Sequence, residues 1–353
     1  MLSHSVNRMI CLLIVLLLLG CGSASPGDAA IPAESAAPTA KAVPKTTPVP
    51  TEEPTPVPTP EPSPVPTEET MPEPTPVPAP FSLAWIPDTQ KLSVRSPELL
   101  TELGREIAAH RESDAIVGVL HTGDIVDNGW KAWQWDNFDR CLNELNEAGL
   151  PFYPVAGNHD LGVERLRYDA YLKRPFLKTL PEAQTFAGGK LYYVVLNEGG
   201  VSLLLLGIGW DGAREEEELR WVKDVLEAHA ELPCILLTHA YAAYPGERLS
   251  YCRYLEQEIV SQYANIRIVL CGHMRGFFSD VQTFDDDGDG EAERTVNVLM
   301  LDNQDGAFLW RVLTFDPATR ALTVRTHAIG SDAPVGNDPK HGDPADFVLE
   351  NAF

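Results

Sequence analysis

From residue 81 onward the chain alternates between short apolar runs and longer stretches with helical spacing of apolar positions. The runs Phe81 to Ile86, Ile116 to Leu120, Pro151 to Val155, Leu232 to Leu237 and Ile266 to Cys271 are nearly continuous. Strands buried on both faces read this way. Pro97 to Arg111, Ala132 to Ala148, Glu215 to His229 and Leu249 to Tyr263 carry the periodicity of amphipathic helices. Leu191 to Leu196 and Val201 to Ile208 flank Asn197-Glu198-Gly199-Gly200 and predict a hairpin. After Arg275 the pattern turns to strands at Phe278 to Phe284, Thr295 to Leu301, Ala307 to Phe315 and Ala321 to Thr326. Periodicity alone therefore predicts an α/β domain. Residues 81–353 are taken as one unit because no Pro/Gly-rich break separates the elements.

Each of the continuous apolar runs ends in a polar motif. In order these are Asp88-Thr89-Gln90, Gly123-Asp124-Ile125-Val126-Asp127-Asn128-Gly129, Gly157-Asn158-His159-Asp160, Thr238-His239 and Gly272-His273-Met274-Arg275. Ligands gather at the carboxyl ends of strands in open α/β sheets, so the motifs are expected to converge. Asp, Asn and His are donors for hard and borderline divalent ions.

The ordered set resembles the calcineurin-like metallophosphoesterases, whose motifs are Asp-x-His, Gly-Asp-x-x-Asp, Gly-Asn-His-(Asp/Glu), a lone His and Gly-His-x-His. It is most similar to bacterial members with Asp-Thr-Gln at the first motif, and Asp302-Asn303-Gln304 and Trp310 to Phe315 look like theirs too. The resemblance implies a four-layer αββα sandwich and a two-metal site. It makes Asp124 the bridging carboxylate, places Asn158, His239 and His273 with it on the second metal, and places Asp88, with Gln90 as a third donor, on the first. One or two divalent ions are implied, among Mn, Fe, Zn, Mg and Ca. His159 would face the phosphate and serve the leaving oxygen, oriented by Asp160 or Asp127, while metal-activated water attacks. Two positions depart from the family: Gln90 and Arg275 stand where it has His. A guanidinium donates only and cannot ligate a metal. Arg275 either points away, leaving a weak and exchangeable first metal, or replaces that metal and grips a phosphate oxygen. Retention of Asp88 and Asp124 favours the first.

The amino-terminal portion differs in kind. Arg8 precedes an apolar stretch from Met9 to Leu19 and then Gly20-Cys21. That stretch is shorter than the roughly 20 residues a spanning helix needs, so residues 1–20 are read as a cleaved signal. The Leu18-Leu19-Gly20-Cys21 sequence resembles a bacterial lipobox, which makes Cys21 the acylated residue and the membrane a partner. Residues 21–80 shift to Pro, Thr and Glu with recurring Thr-Pro-Val-Pro, the composition of an extended, coreless stalk. At about 3.1 Å per residue it reaches on the order of 150–180 Å. The expected location is the extracytoplasmic face of a bacterial membrane.

A net charge of −24 excludes nucleic-acid binding through a basic surface. The expected partner is a phosphate-ester substrate met by a monomer. Cys141, Cys234, Cys252 and Cys271 lack metal-knuckle spacing and are expected as small buried residues. Asp285-Asp286-Asp287-Gly288-Asp289-Gly290 resembles a calcium loop, but its twelfth position is Val296 rather than a bidentate acid, so an acidic hairpin tip is expected. His121, Trp130, Trp133 and Trp135 are assigned to packing, Tyr241 and Tyr244 to loop packing, and His110 and His229 to the surface. A catalytically silent binding protein on a stalk is the alternative function, and it turns on the depleted first metal site.

Overall fold

A computed structural model describes residues 78–353 except 163–166, 179, 181, 305, 340 and 341. The signal, Cys21 and almost all of the Pro-rich segment lie outside these residues. The strands in chain order are β1 (Phe81–Ile86), β2 (Ile116–His121), β3 (Phe152–Pro154), β4 (Gln184–Phe186), β5 (Leu191–Glu198), β6 (Val201–Ile208), β7 (Cys234–Thr238), the short pair β8 (Ala242–Ala243) and β9 (Glu247–Arg248), β10 (Ile266–Cys271), β11 (Gly276–Phe284), β12 (Arg294–Asp302), β13 (Leu309–Asp316), β14 (Ala321–Ala328) and β15 (Phe347–Leu349). The helices are α1 (Gln90–Arg95), α2 (Pro97–His110), α3 (Ala132–Glu147), α4 (Glu216–Ala228) and a one-turn α5 (Arg253–Leu255).

Two mixed sheets form, ordered β15-β14-β13-β1-β2-β3 and β11-β12-β10-β7-β6-β5-β4. The alternation along each strand shows how they stack. Leu203, Leu205, Ile235, Leu237, Ile268 and Leu270 join the core that contains the first sheet. Their neighbours Leu204, Leu206, Leu236 and Val269 pack with Val222, Val225 and Leu226 of α4. With a side-chain period of two, the second sheet thus has one face on the first sheet and one under helices. On the first sheet, Arg311 lies over Trp85 and over Phe277 of the second sheet. Its neighbour Trp310 instead donates from Nε1 to Glu106 of α2, at 3.3 Å. The result is the expected helix–sheet–sheet–helix sandwich.

Strands β1, β2 and β3 are parallel, as are β6, β7, β10 and β12, so their carboxyl ends form the rims that carry the polar motifs. The helix expected over Leu249 to Tyr263 is broken. It becomes a 3-10 turn at Ser250–Cys252, one α turn, and a π segment at Glu256–Val260. The π turn adds a residue and lets Leu255, Ile259 and Val260 all reach the outer core. All four cysteines named above are buried and unbridged. The Asp285 to Gly290 stretch is an exposed tip between β11 and β12, with the amides of Gly288 and Gly290 donating to Asp285. Among the described residues no helix is long and apolar enough to cross a membrane.

Candidate metal centre

The five motifs meet at the rim. His239 follows β7, and its Nδ1 hydrogen donates to the Thr122 carbonyl at 2.8 Å. That bond fixes the tautomer and leaves the Nε2 lone pair directed into the site. Around Nε2 stand Nδ1 of His273 at 3.1 Å, Oδ1 of Asn158 at 3.2 Å and Oδ2 of Asp124 at 3.4 Å. With His273 in its Nε2–H tautomer all four atoms are acceptors aimed at one another, and a cation at their centre satisfies such a cluster. The residues are those expected to hold the second metal, and they fit it.

Electrostatics supports the same conclusion. Burial opposes charge on His239, but the Asp124 carboxylate, Asp88 and the Thr122 carbonyl together outweigh it and raise the imidazole to about 10. Burial and then the charge on His239 lower His273 to about 4. Burial raises Asp88 well above the ordinary carboxylate range, reinforced by Asp302 and Asp124. A pocket that raises both an imidazole and a carboxyl in this way is short of positive charge.

The first site is more sparsely furnished. Asp88 is fully buried and accepts the His273 amide at 3.2 and 3.3 Å. Gln90, 7% exposed, has a buried Oε1 with no hydrogen-bond partner. An orphaned buried carbonyl costs about 1–3 kcal/mol, and a bound cation beside Asp88 would remove that cost. Arg275 is turned to Asp302, with Nη1 at 3.0 and 3.2 Å from its oxygens. Asp302 is 1% exposed and also accepts Gln304 Nε2 at 2.8 Å. Arg275 is therefore a docked cation on the site's edge rather than a ligand.

Close backbone approach explains the motif glycines. A Cβ on Gly157 would lie 2.2 Å from Asp124 Oδ1, and one on Gly272 would lie 2.2 Å from Asp88 Oδ1. Asp124 and His273 themselves adopt φ of 51° and 71°, a left-handed conformation costing about 1–3 kcal/mol at each non-glycine. Strain of this size persists where the surroundings over-determine it.

His159 donates from its amide to Asp124 Oδ1 at 2.8 Å, and its Nδ1 hydrogen goes to the Asp127 carbonyl, also at 2.8 Å. The ring is thereby held with Nε2 available to a substrate. The Asp127 carboxylate stays at 3.5 Å, so orientation comes from its backbone. Asp160 does not orient His159. Its fully buried carboxylate accepts the amides of Val126 at 3.0 Å and Gly157 at 2.8 Å and ties the second motif loop to the third. Burial, then the charge on Asp124, raises it to about 7. The side chains of consecutive residues diverge here, which adjacency in sequence could not reveal.

His121 packs as expected. Its Nδ1 accepts the Gly123 amide at 3.1 Å, so Nε2 donates to Thr89 Oγ1 at 3.1 Å, and Thr89 donates to the Ile125 carbonyl at 2.8 Å. This relay joins the first two motif loops. Trp135 is buried, but Trp130 and Trp133 are 40% and 48% exposed, against the packing expected of them. Tyr241 is buried with its hydroxyl on Gln282, while Tyr244 is exposed. His110 is half-buried beside His327 rather than on the surface. The aromatic wall of the site comes from elsewhere. The Trp210 ring lies 5.7 and 5.2 Å from those of His239 and His273, and Tyr251 lies 5.2 Å from Trp210 and 5.8 Å from His273. Trp210 follows β6, a parallel strand with its carboxyl end on the same rim, so the strand-end rule applied there would have found it.

Residues 82–274 match the calcineurin-like phosphoesterase family. The uncharacterized protein YvnB of Bacillus subtilis (strain 168) is 30% identical over 257 residues, covering 70% of this chain and 20% of that protein. A probable cyclic nucleotide phosphodiesterase of Moraxella catarrhalis (strain BBH18) is 26% identical over 166 residues, covering 44% of this chain and 57% of the relative. Among solved structures, a dimetal phosphatase from Danio rerio shares the fold at a TM-score of 0.52 and 12% identity, covering 77% of this chain and 99% of its own. A purple acid phosphatase from yellow lupin (Lupinus luteus) seeds does so at 0.51 and 14%, covering 77% and 54%. The chain belongs to the calcineurin-like phosphoesterases.

Proposed function

We infer that the domain hydrolyses a phosphomonoester or phosphodiester with divalent ions held at Asp88, Gln90, Asp124, Asn158, His239 and His273. The observation that carries this is the convergence of metal-ligating atoms of Asp124, Asn158 and His273 on His239 Nε2. When bound, the ions supply an activated water and neutralise charge on the phosphate. Asp124 would hold the two ions together, and its Oδ1 fixes the His159 backbone. His159 Nε2 serves the departing oxygen. Arg275, anchored on Asp302, presents positive charge at the edge where phosphate oxygens arrive. Trp210 and Tyr251 offer flat surface to an organic ester group, which suits an aryl or nucleoside ester. The relative described as a cyclic nucleotide phosphodiesterase supports testing that class.

Purified protein should turn over at least one of p-nitrophenyl phosphate, bis(p-nitrophenyl) phosphate and a cyclic nucleotide. A chelator should abolish that turnover and a single divalent ion restore it. Metal-loaded protein inert to all of them would favour the silent binding protein.

The site of action is proposed to lie outside the cytoplasm, with Cys21 carrying the lipid and residues 21–80 as the stalk. Support comes from the apolar stretch ending in Leu18-Leu19-Gly20-Cys21. Cys21→Ser should move the protein from the membrane fraction to the soluble one or leave an unprocessed precursor. Processed protein still in the membrane fraction would rule this anchor out.

A further inference from the structure

A second group of metal-donor side chains lies away from the phosphoesterase centre, on the face of the first sheet that α2 covers. His110 closes α2, Asp114 follows in the turn, and His327 stands on β14. One donor atom from each can be chosen so that all lie within 4.8 Å of one another. Asp114 Oδ2 is 2.6 Å from His110 Nδ1, and its other oxygen is paired with Arg325. The His327 Nε2 is buried with no hydrogen-bond partner. Trp310 stacks on that ring at 4.6 Å and 20°, which fixes its plane.

The two imidazoles are 4.9 Å apart at 65°. The His239 and His273 rings of the phosphoesterase centre are also 4.9 Å apart, at 74°. Two imidazoles on one tetrahedral ion, with Zn–N of about 2.0–2.1 Å, place their ring centres roughly 5 Å apart. A polar cavity of about 310 Å³ opens beside the cluster, lined by Glu106, Asp332 and Asp346 as well as the two histidines. It leaves room for water in a remaining coordination position.

We propose that His110, Asp114 and His327 form a second, independent site for a borderline divalent ion of the zinc class. Two nitrogens and one carboxylate oxygen suit zinc, cobalt or nickel rather than magnesium or calcium. The ion displaces the hydrogen shared by His110 and Asp114 to solvent, while Arg325 stays on the outer carboxylate oxygen, where its positive charge opposes the ion. It ties the end of α2 to β14 and plays no part in phosphoester chemistry.

The test uses the full chain with His239→Ala and His273→Ala, which remove the two imidazoles assigned to metal binding in the phosphoesterase centre. Titration with cobalt(II) should still give the intense visible bands of a four-coordinate, nitrogen-ligated ion at one equivalent. Adding His327→Ala or Asp114→Asn should abolish those bands or weaken binding about 100-fold. Arg325→Gln, which frees the carboxylate of a competing cation, should tighten cobalt binding about tenfold and serves as the check should His327→Ala not fold. The bands surviving in folded His327→Ala would overturn the proposal. So would their absence from both the parent and the Arg325→Gln variant.

Discussion

Asp124→Asn is expected to reduce kcat/KM by at least about 10³-fold, or ~4 kcal/mol of transition-state stabilisation, and to lower bound metal in parallel. Asn matches Asp in shape but carries no charge, and only one of its two terminal atoms accepts. Asp124 is 2% exposed and uses both oxygens: Oδ1 takes the His159 amide, and Oδ2 faces His239. If the amide oxygen keeps the bond to His159, the NH₂ group points at the ions and repels them. If it flips, the NH₂ group opposes the His159 amide and the third motif loop shifts. Metal analysis, steady-state kinetics and circular dichroism on one preparation separate loss of the site from loss of the fold. Full turnover in the folded variant would sink the bridging assignment.

His159→Ala should lower kcat by about 10²–10³-fold while leaving metal content unchanged, because Nδ1 of this ring is spent on the Asp127 carbonyl rather than on an ion. The loss should be greater for esters with an alkyl leaving group than for p-nitrophenyl esters, whose leaving oxygen needs little proton donation. Equal losses across leaving groups would instead make His159 a phosphate-binding group. Reduced metal content would mean that the bond from its amide to Asp124, not the ring, had been disturbed.

The parts legible in the sequence were those set by local pattern. Phe81 to Ile86 and Ile266 to Cys271 are strands with those bounds, since runs buried on both faces leave little freedom of register. The strand-end rule then brought Asp88, Asp124, Asn158, His239 and His273 to one rim. What it missed depends on contacts between distant elements. Asp160 follows His159 directly, yet its carboxylate serves the backbone of Val126, 34 residues earlier. Tyr251 lay inside a stretch of helical periodicity, but the chain there is drawn into a 3-10 and π path. That path carries Leu255, Ile259 and Val260 into the outer core and Tyr251 to Trp210. Arg275 could be read as unable to ligate, but its docking on Asp302 depends on the register of the β11–β12 hairpin, which sets Asp302 opposite Gly276.

The strands bearing His239 and His273 have no solvent face: Leu236 and Val269 look outward under the helices, while Leu237 and Leu270 look inward to the first sheet. Backbone amides so enclosed exchange with water only when the whole domain opens. His239 and His273 are consequently mounted at the ends of enclosed strands, and the His239 tautomer is set by the Thr122 carbonyl before any ion arrives. The domain is therefore expected to lose its ions and take them up again without unfolding, so that ion exchange and unfolding have separate rates.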